Sequence, residues 1–218
     1  MPTRWIFVAT VAALALSACG GEDKGNDSSS ETVKRSLEAT NVSSKGFPWA
    51  GEQSGFLKRW ALPIPVKLNG DARAIAAVDE IERQLGQTIF DRTAIASLPD
   101  TQIVRGLIVS IGTSYVPPGS SGPCDGAGGV SGSPNSGSYP SPFLRGAEIS
   151  TRLYINLDNS GCIASQDVTT HEFGHALGMG AHYEGFGDGP AISPLFWRVL
   201  RTIHANPIGT PSPSIIVP

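Results

Sequence analysis

Apolar and polar residues follow one another along this chain in a pattern typical of a sheet with packed helices. Residues 62–68 combine apolar residues with prolines, which predicts an edge strand because proline cannot donate a ladder hydrogen bond. Apolar residues then recur at helical spacing from Ile75 to Leu85, and Gly86 is the expected end of that helix. The apolar run at 107–111 predicts a buried strand. Strand, helix and strand in this order indicate a βαβ unit and an α/β (α+β) fold with a mixed, twisted sheet.

The second half of the chain predicts a long loop, a strand and two helices. Residues 117–142 are mostly Pro, Gly and Ser, which indicates either a plain surface loop or a flap over a substrate. Alternation over 148–157 predicts another strand. Ser165 is the expected N-cap of a helix that ends at Gly178, and a last helix is expected after Ser193.

The first residues have the pattern of an export signal. Arg4 precedes an apolar run that ends in Leu16-Ser17-Ala18-Cys19. A basic start, about a dozen apolar residues and small residues before a cleavage point predict a signal peptide over residues 1–18. The run is shorter than the roughly 20 residues that cross a bilayer. Its end resembles the bacterial lipobox, which implies lipid on Cys19 and a lipid-anchored, extracytoplasmic protein of the bacterial cell envelope, at the outer membrane or cell surface. Ordinary secretion is the alternative.

Composition sets the remaining domain boundaries. Small, polar and charged residues dominate after the cleavage point, which predicts a flexible, lipid-anchored linker over residues 19–45. Residues 46–207 are predicted to form one domain, and residues 208–218 a Pro-rich, extended tail. A formal net charge of -3 provides no basic surface, so nucleic acid is not an expected partner. The sequence does not indicate an oligomeric state.

Two cysteines, Cys124 and Cys162, remain besides the lipidated one. An even pair in an oxidising compartment predicts a disulfide bond. Zinc-binding thiolates are the alternative, but neither residue lies in a Cys-x-x-Cys spacing. The bond would connect the Gly-rich loop to the segment just before the helix that follows Ser165.

The strongest chemical signal is the segment His171-Glu172-Phe173-Gly174-His175. On a helix, two histidines four residues apart project from the same face and can share one metal ion. Glu172 could take a proton from a water on that metal. His182 supplies a third imidazole, and three protein ligands with one open position define a catalytic zinc site. A helix that carries surface histidines is the alternative, but three of the chain's four histidines fall within this short stretch.

This segment, continued through Gly178 to His182, resembles the metzincin superfamily of zinc peptidases, and in style its matrixin-like bacterial members. The resemblance implies a metzincin-like catalytic domain with an active-site helix and a small C-terminal subdomain. It implies one catalytic Zn2+ held by His171, His175 and His182, with Glu172 as the general base that hydrolyses protein or peptide substrates. It also implies that the strand near residues 153–157 is the sheet edge that pairs with an extended substrate.

The chain departs from the family pattern at two points. Ala181 occupies the usual place of the third histidine, and His182 follows one residue later. Three other side chains are candidates for the third ligand: Glu184, Asp188 and His204. The methionine-containing turn of the family is not apparent, and Ala205 stands where its methionine would fall.

Several interpretations stay open at this point. Tyr183 could donate to the oxyanion of the reaction, or could simply pack in the core. Three aspartates are conceivable calcium ligands, but no ligand spacing supports such a site: Asp125, Asp158 and Asp188. A non-catalytic surface lipoprotein with a structural or vestigial zinc site is the main alternative function, and a zinc hydrolase of a non-peptide bond is another.

Overall fold

The computed structural model of the chain describes residues 29–43, 54–114, 127–139 and 142–218. The predicted signal peptide, the lipidation at Cys19 and the residues Cys124 and Asp125 lie outside the described residues. None of the helices in the described ranges is long and apolar enough to cross a membrane.

Helices and mixed sheets together give the described residues an α+β architecture. The α-helices are α1 (Ser30–Leu37), α2 (Ala72–Leu85), α3 (Gln166–Ala176) and α4 (Pro194–Ala205). The strands are β1 (Arg59–Trp60), β2 (Ile64–Lys67), β3 (Phe90–Asp91), β4 (Gly106–Ile111), β5 (Gly128–Ser131), β6 (Leu144–Arg145), β7 (Glu148–Ile149), β8 (Arg152–Leu157), β9 (Tyr183–Glu184) and β10 (Gly187–Asp188).

A five-stranded sheet in the order β3-β2-β4-β8-β5 carries the fold. Its first four strands are parallel to one another, and β5 runs antiparallel to β8. Helices α2 and α3 pack against each other and share one buried apolar cluster with the sheet. This confirms the predicted mixed sheet, and β2, α2 and β4 have the arrangement of the predicted βαβ unit. The Gly86 prediction is also confirmed, because this residue ends α2 with a positive φ of 67°.

The prediction of an edge strand at residues 62–68 is wrong, because β2 lies between β3 and β4. Proline is tolerated in this position since the ladder with β4 starts one residue later, at Val66 opposite Leu107. On the other side, the N–H of Ile64 donates to the carbonyl of Ile89 at 2.8 Å. The N–H that Pro65 lacks therefore falls before the β4 ladder begins.

The strand implied as the free edge of the sheet is also an interior strand. Residues 153–157 belong to β8, which has β4 on one side and β5 on the other, so that implication is wrong. Strand β5 takes the edge position and falls within the predicted loop at 117–142. Its sequence Gly-Gly-Val-Ser has low strand propensity, and the strand forms by backbone pairing with β8.

The prediction of a flexible linker over residues 19–45 is wrong for the part from Ser30 to Val42. Helix α1 begins after the N-cap Ser29 and continues directly into a π-helical turn, Glu38–Val42. Val33 and Leu37 lie four residues apart and are buried on the side that packs against α4. A few apolar residues at helical spacing were therefore sufficient to fold a segment whose composition is mostly polar.

The predicted tail at 208–218 also packs on the domain. Ile215 is buried, and Asn206 binds the backbone N–H and carbonyl of Ile216 through its side chain. The N–H of Leu57 donates to the carbonyl of Thr210 at 2.9 Å. The tail is therefore part of the folded domain from its first residues.

Candidate metal centre

Helix α3 holds the first two histidines of the predicted zinc site. The hydroxyl of Ser165 caps the helix by accepting from the N–H of Val168 at 3.2 Å, as the sequence predicts. The ring centroids of His171 and His175 lie 4.6 Å apart on one face. The helix ends at Ala176 with Leu177 as its C-cap, and Gly178 turns the chain away with a φ of 114°.

The chain then returns to bring His182 against these two rings. Its Nε2 lies 3.1 Å from Nε2 of His171 and 3.1 Å from Nε2 of His175. The loop after Gly178 thus accommodates the one-residue displacement by which His182, and not Ala181, reaches the other two histidines. Within the described ranges, these three histidines are the only group of three or more His, Cys, Asp or Glu side chains with ligand atoms within 4.8 Å of one another. The competing third ligands are not part of it: Glu184, Asp188 and His204.

The two 3.1 Å separations from Nε2 of His182 are close to the spacing of ligand nitrogens around a tetrahedral metal. Zn–N bonds of 2.0–2.1 Å at tetrahedral angles place ligand nitrogens roughly 3.3 Å apart. The Nδ1 of His171 lies 2.8 Å from the carbonyl oxygen of Ala191, and Nδ1 of His175 lies 2.6 Å from that of Met179. A carbonyl can only accept, which assigns the proton to Nδ1 and leaves the lone pair of Nε2 for a metal.

The electrostatics of the group also suit metal binding. Burial lowers the pKa of His171 to about 4 and lowers the pKa of His175 well below its usual value. Burial lowers the pKa of His182 too, against an opposing effect of Asp188. All three imidazoles are therefore neutral at neutral pH, and neutral imidazole is the form that binds a metal ion.

Glu172 lies next to the first histidine and is buried under strand β5. Burial raises the pKa of its carboxyl to about 8. A cation bound by the neighbouring histidines would stabilise the charged form of this group. A side chain at Gly128 of β5 would place its Cβ 2.7 Å from Cγ of Glu172. Strand β5 can therefore pass this close to Glu172 only with glycine at position 128.

The sequence analysis missed Phe186, whose ring lies against all three histidines. Its centroid is 4.3 Å from His171, 4.7 Å from His175 and 5.7 Å from His182, and the side chain is fully buried. It stacks on His171 with an interplanar angle of 28°. Phe196 of α4 supports it from below at 5.4 Å. An aromatic ring thus forms the floor of the three-histidine cluster.

Other candidate residues have structural surroundings that do not support a role in catalysis or metal binding. The hydroxyl of Tyr183 is directed at Sδ of Met179, 3.8 Å away, and the ring is buried against Phe186. This side chain packs, as the alternative interpretation held. Asp158 forms an ion pair with Arg73 at 2.7 Å and is not part of any metal-binding group in the described ranges.

Cys162 is disulfide-bonded, as predicted for an exported domain. The predicted partner Cys124 lies outside the described residues, so this pairing stays a prediction. Cys162 itself lies four residues before Gln166, the first residue of α3, and is buried. A disulfide here would anchor the segment that leads into the helix with the metal-binding histidines.

His204 is buried at the far end of α4, close to Arg59. Neither ring nitrogen has a hydrogen-bond partner in the described part of the chain, and the same holds for Nε of Arg59. Burial, with a smaller effect of Arg59, lowers the pKa of His204 to about 3. In the unfolded chain this imidazole has an ordinary pKa near 6.5. Between about pH 6.5 and pH 3 it therefore binds a proton in the unfolded chain but stays neutral in the folded protein.

This difference predicts an acid sensitivity that His204→Leu removes. Below pH 6.5 the unfolded chain takes up the proton, so stability that is fully present above pH 6.5 is lost as the pH falls towards 3. Between pH 6 and pH 4 we expect the wild type to lose about 1.4 kcal/mol more unfolding free energy per pH unit than the variant. Urea unfolding of both proteins at several pH values, with a chelator present to keep them metal-free, measures these pH slopes. Equal pH slopes would contradict the burial of a neutral His204.

Comparison of the chain with protein-family models, with curated proteins and with solved structures found no match in any of the three. A three-histidine group does not by itself identify a metzincin. The structure does show a group of His171, His175 and His182, buried at its first member and exposed at its last, that could hold a metal ion.

Proposed function

We propose that this chain is a zinc-dependent endopeptidase that hydrolyses protein or peptide bonds outside the cytoplasm. The observation that carries the proposal is the convergence of three imidazole Nε2 atoms, two of them 3.1 Å from the third, beside a buried glutamate. Three neutral imidazoles are a donor set that suits zinc among the common metals of exported enzymes.

The exposure of the three rings favours a catalytic centre over a structural one. His171 is buried, His175 is half-buried and His182 is exposed, so the cluster opens to solvent on the side of its third ligand. A structural zinc site is closed by four protein ligands, whereas a catalytic site retains one position for water or substrate. Among the described residues no fourth ligand joins the group.

Glu172 is the proposed general base. A bound zinc ion lowers the pKa of a water ligand from 15.7 to about 7. With zinc bound, Glu172 would accept a proton from that water as the water oxygen adds to the carbonyl carbon of the substrate, and would pass this proton to the amine nitrogen as the C–N bond breaks. Gly128 leaves room above the carboxylate, so β5 can approach without displacing the base.

We also propose that the enzyme is attached to the bacterial cell envelope through lipid on Cys19. The helical segment Ser30–Val42 packs on the domain. A tether would therefore be confined to the residues between Cys19 and Ser29. The disulfide at Cys162 supports an oxidising compartment outside the cytoplasm.

Hydrolysis of an unfolded protein such as casein tests the proposal. We expect the zinc-loaded chain to cleave it, and a hydroxamate chelator to block the cleavage. A chain that binds one zinc ion but cleaves neither casein nor peptides would contradict the proposal and favour a structural or vestigial site. Cleavage of esters alone would favour a hydrolase of a non-peptide bond.

A further inference from the structure

The loop between helix α3 and His182 is held by the N-terminal segment of the chain. This loop, Gly178–Ala181, has to return the chain to the metal centre within four residues. The N–H of Gly180 donates to the carbonyl of Thr40 at 2.8 Å, and Oγ1 of Thr40 donates to the carbonyl of Ala181 at 2.6 Å. The second bond fixes the peptide group that directly precedes His182.

Asn41 makes a second connection to the same loop. Its Nδ2 donates to the carbonyl of Gly178 and to that of Lys58, each at 2.7 Å, and its Oδ1 accepts from the N–H of Lys58 at 2.9 Å. Thr40 and Asn41 are completely buried. A buried amide that satisfies three backbone groups at once costs roughly 1–3 kcal/mol to remove, because these groups stay behind without partners.

The ammonium group of Lys58 fixes the turn that carries these two residues. Its Nζ donates to the carbonyls of Asn41 at 2.8 Å and Val42 at 3.0 Å, at the C-terminal end of the π-helical turn Glu38–Val42. A cation suits this end of a helix because the free carbonyls give it a partial negative charge. Lys58 is itself fully buried, and its hydrogen bonds connect the turn directly to the segment before β1.

We propose that the π-helical turn Glu38–Val42 is a positioning element of the metal centre, and that Thr40 and Asn41 set the place of the third ligand. The inference rests on the metal site of the proposed function but not on hydrolysis. Metal affinity then depends on the attachment of a segment that lies between the predicted lipid anchor and the domain. Residues that orient metal ligands from outside typically change metal affinity by about 10- to 100-fold.

The first test compares Asn41→Ala with Asn206→Ala. Asn206 is buried and also binds three backbone groups, through Nδ2 to Thr202 and Ile216 and through Oδ1 to Ile216, but it lies beyond the end of α4. Both variants should lose similar unfolding free energy in the absence of metal. We expect a zinc dissociation constant raised by about 10-fold or more for Asn41→Ala alone, measured by competition with a chromophoric chelator. The cobalt(II) absorption spectrum should change only in that variant.

A second pair of variants, which removes less from the core, provides the test if Asn41→Ala does not fold. Thr40→Val and Thr202→Val each remove one hydroxyl donor from a completely buried threonine. Among the residues that the structure describes, the Thr202 hydroxyl donates only to the carbonyl of Arg198 in its own helix. We expect weaker zinc binding for Thr40→Val only. Equal zinc affinities within both pairs would overturn the positioning role. A wild-type chain that binds no zinc would overturn the metal site of the proposed function, and the inference with it.

Discussion

Replacing Glu172 with glutamine is expected to abolish hydrolysis and to leave zinc binding unchanged. Glutamine has the same shape as glutamate, so it fits the buried space under Gly128, where the two closest approaches are to the glutamate side chain. An amide cannot accept the proton of the attacking water. General bases contribute about 10²- to 10⁴-fold to rates, so kcat should fall by on the order of 10³-fold. Zinc content should stay at one ion per chain because the three histidines are unaltered.

Glu184→Gln is the matched control, since Glu184 is an exposed acidic residue two positions after the third ligand. It should retain wild-type kcat and zinc content. We would compare the two variants with the wild type by following peptide cleavage with mass spectrometry and by measuring the zinc content of the same samples. Full activity of the Glu172 variant would refute the general-base role.

Replacing Gly187 with alanine is expected to displace His182 and weaken zinc binding by on the order of 100-fold. A Cβ at this position would lie 2.6 Å from both Cγ and Cδ2 of the His182 ring, and 2.8 Å from its Nδ1. Either the His182 ring or the backbone at Gly187 has to shift to relieve this overlap, and we expect the ring to move away from the other two histidines. The site would then retain two ligands, both on helix α3.

Gly189→Ala separates this contact from backbone strain. Both glycines have positive φ values, 82° for Gly187 and 88° for Gly189, so alanine costs roughly 1–2 kcal/mol at either position. A Cβ at Gly189 meets no atom within 4 Å. We expect Gly189→Ala to bind zinc like the wild type, measured by chelator competition. Similar affinities of the two variants would show that Gly187 does not support the third ligand.

The chemistry of the centre was predictable where it depended on local spacing. Two histidines four residues apart share a helix face whatever the rest of the chain does, and Ser165 marks where that helix begins. The displaced His182 was also identified, although only the structure shows how the loop absorbs Ala181. The same local rules predicted α2 with its end at Gly86 and α4 with its N-cap Ser193.

The missed features depend on contacts between distant segments. Phe186 resembles any core aromatic residue in the sequence, and its position under three histidines follows from the tight loop that contains β9 and β10. Strand β5 has little strand propensity of its own and forms on β8. The Ser30–Val42 segment looks like a linker because its contacts, from Thr40 and Asn41 to the Gly178–Ala181 loop, span more than 130 positions.

Restoring activity to the metal-free chain with measured amounts of zinc tests the central claim most directly. We predict that casein cleavage is absent in the apoprotein and rises in proportion to added zinc until one equivalent is bound. It should then stay constant, because His171, His175 and His182 form a single site. Stoichiometric zinc binding without any cleavage, or cleavage by the apoprotein, would contradict the account.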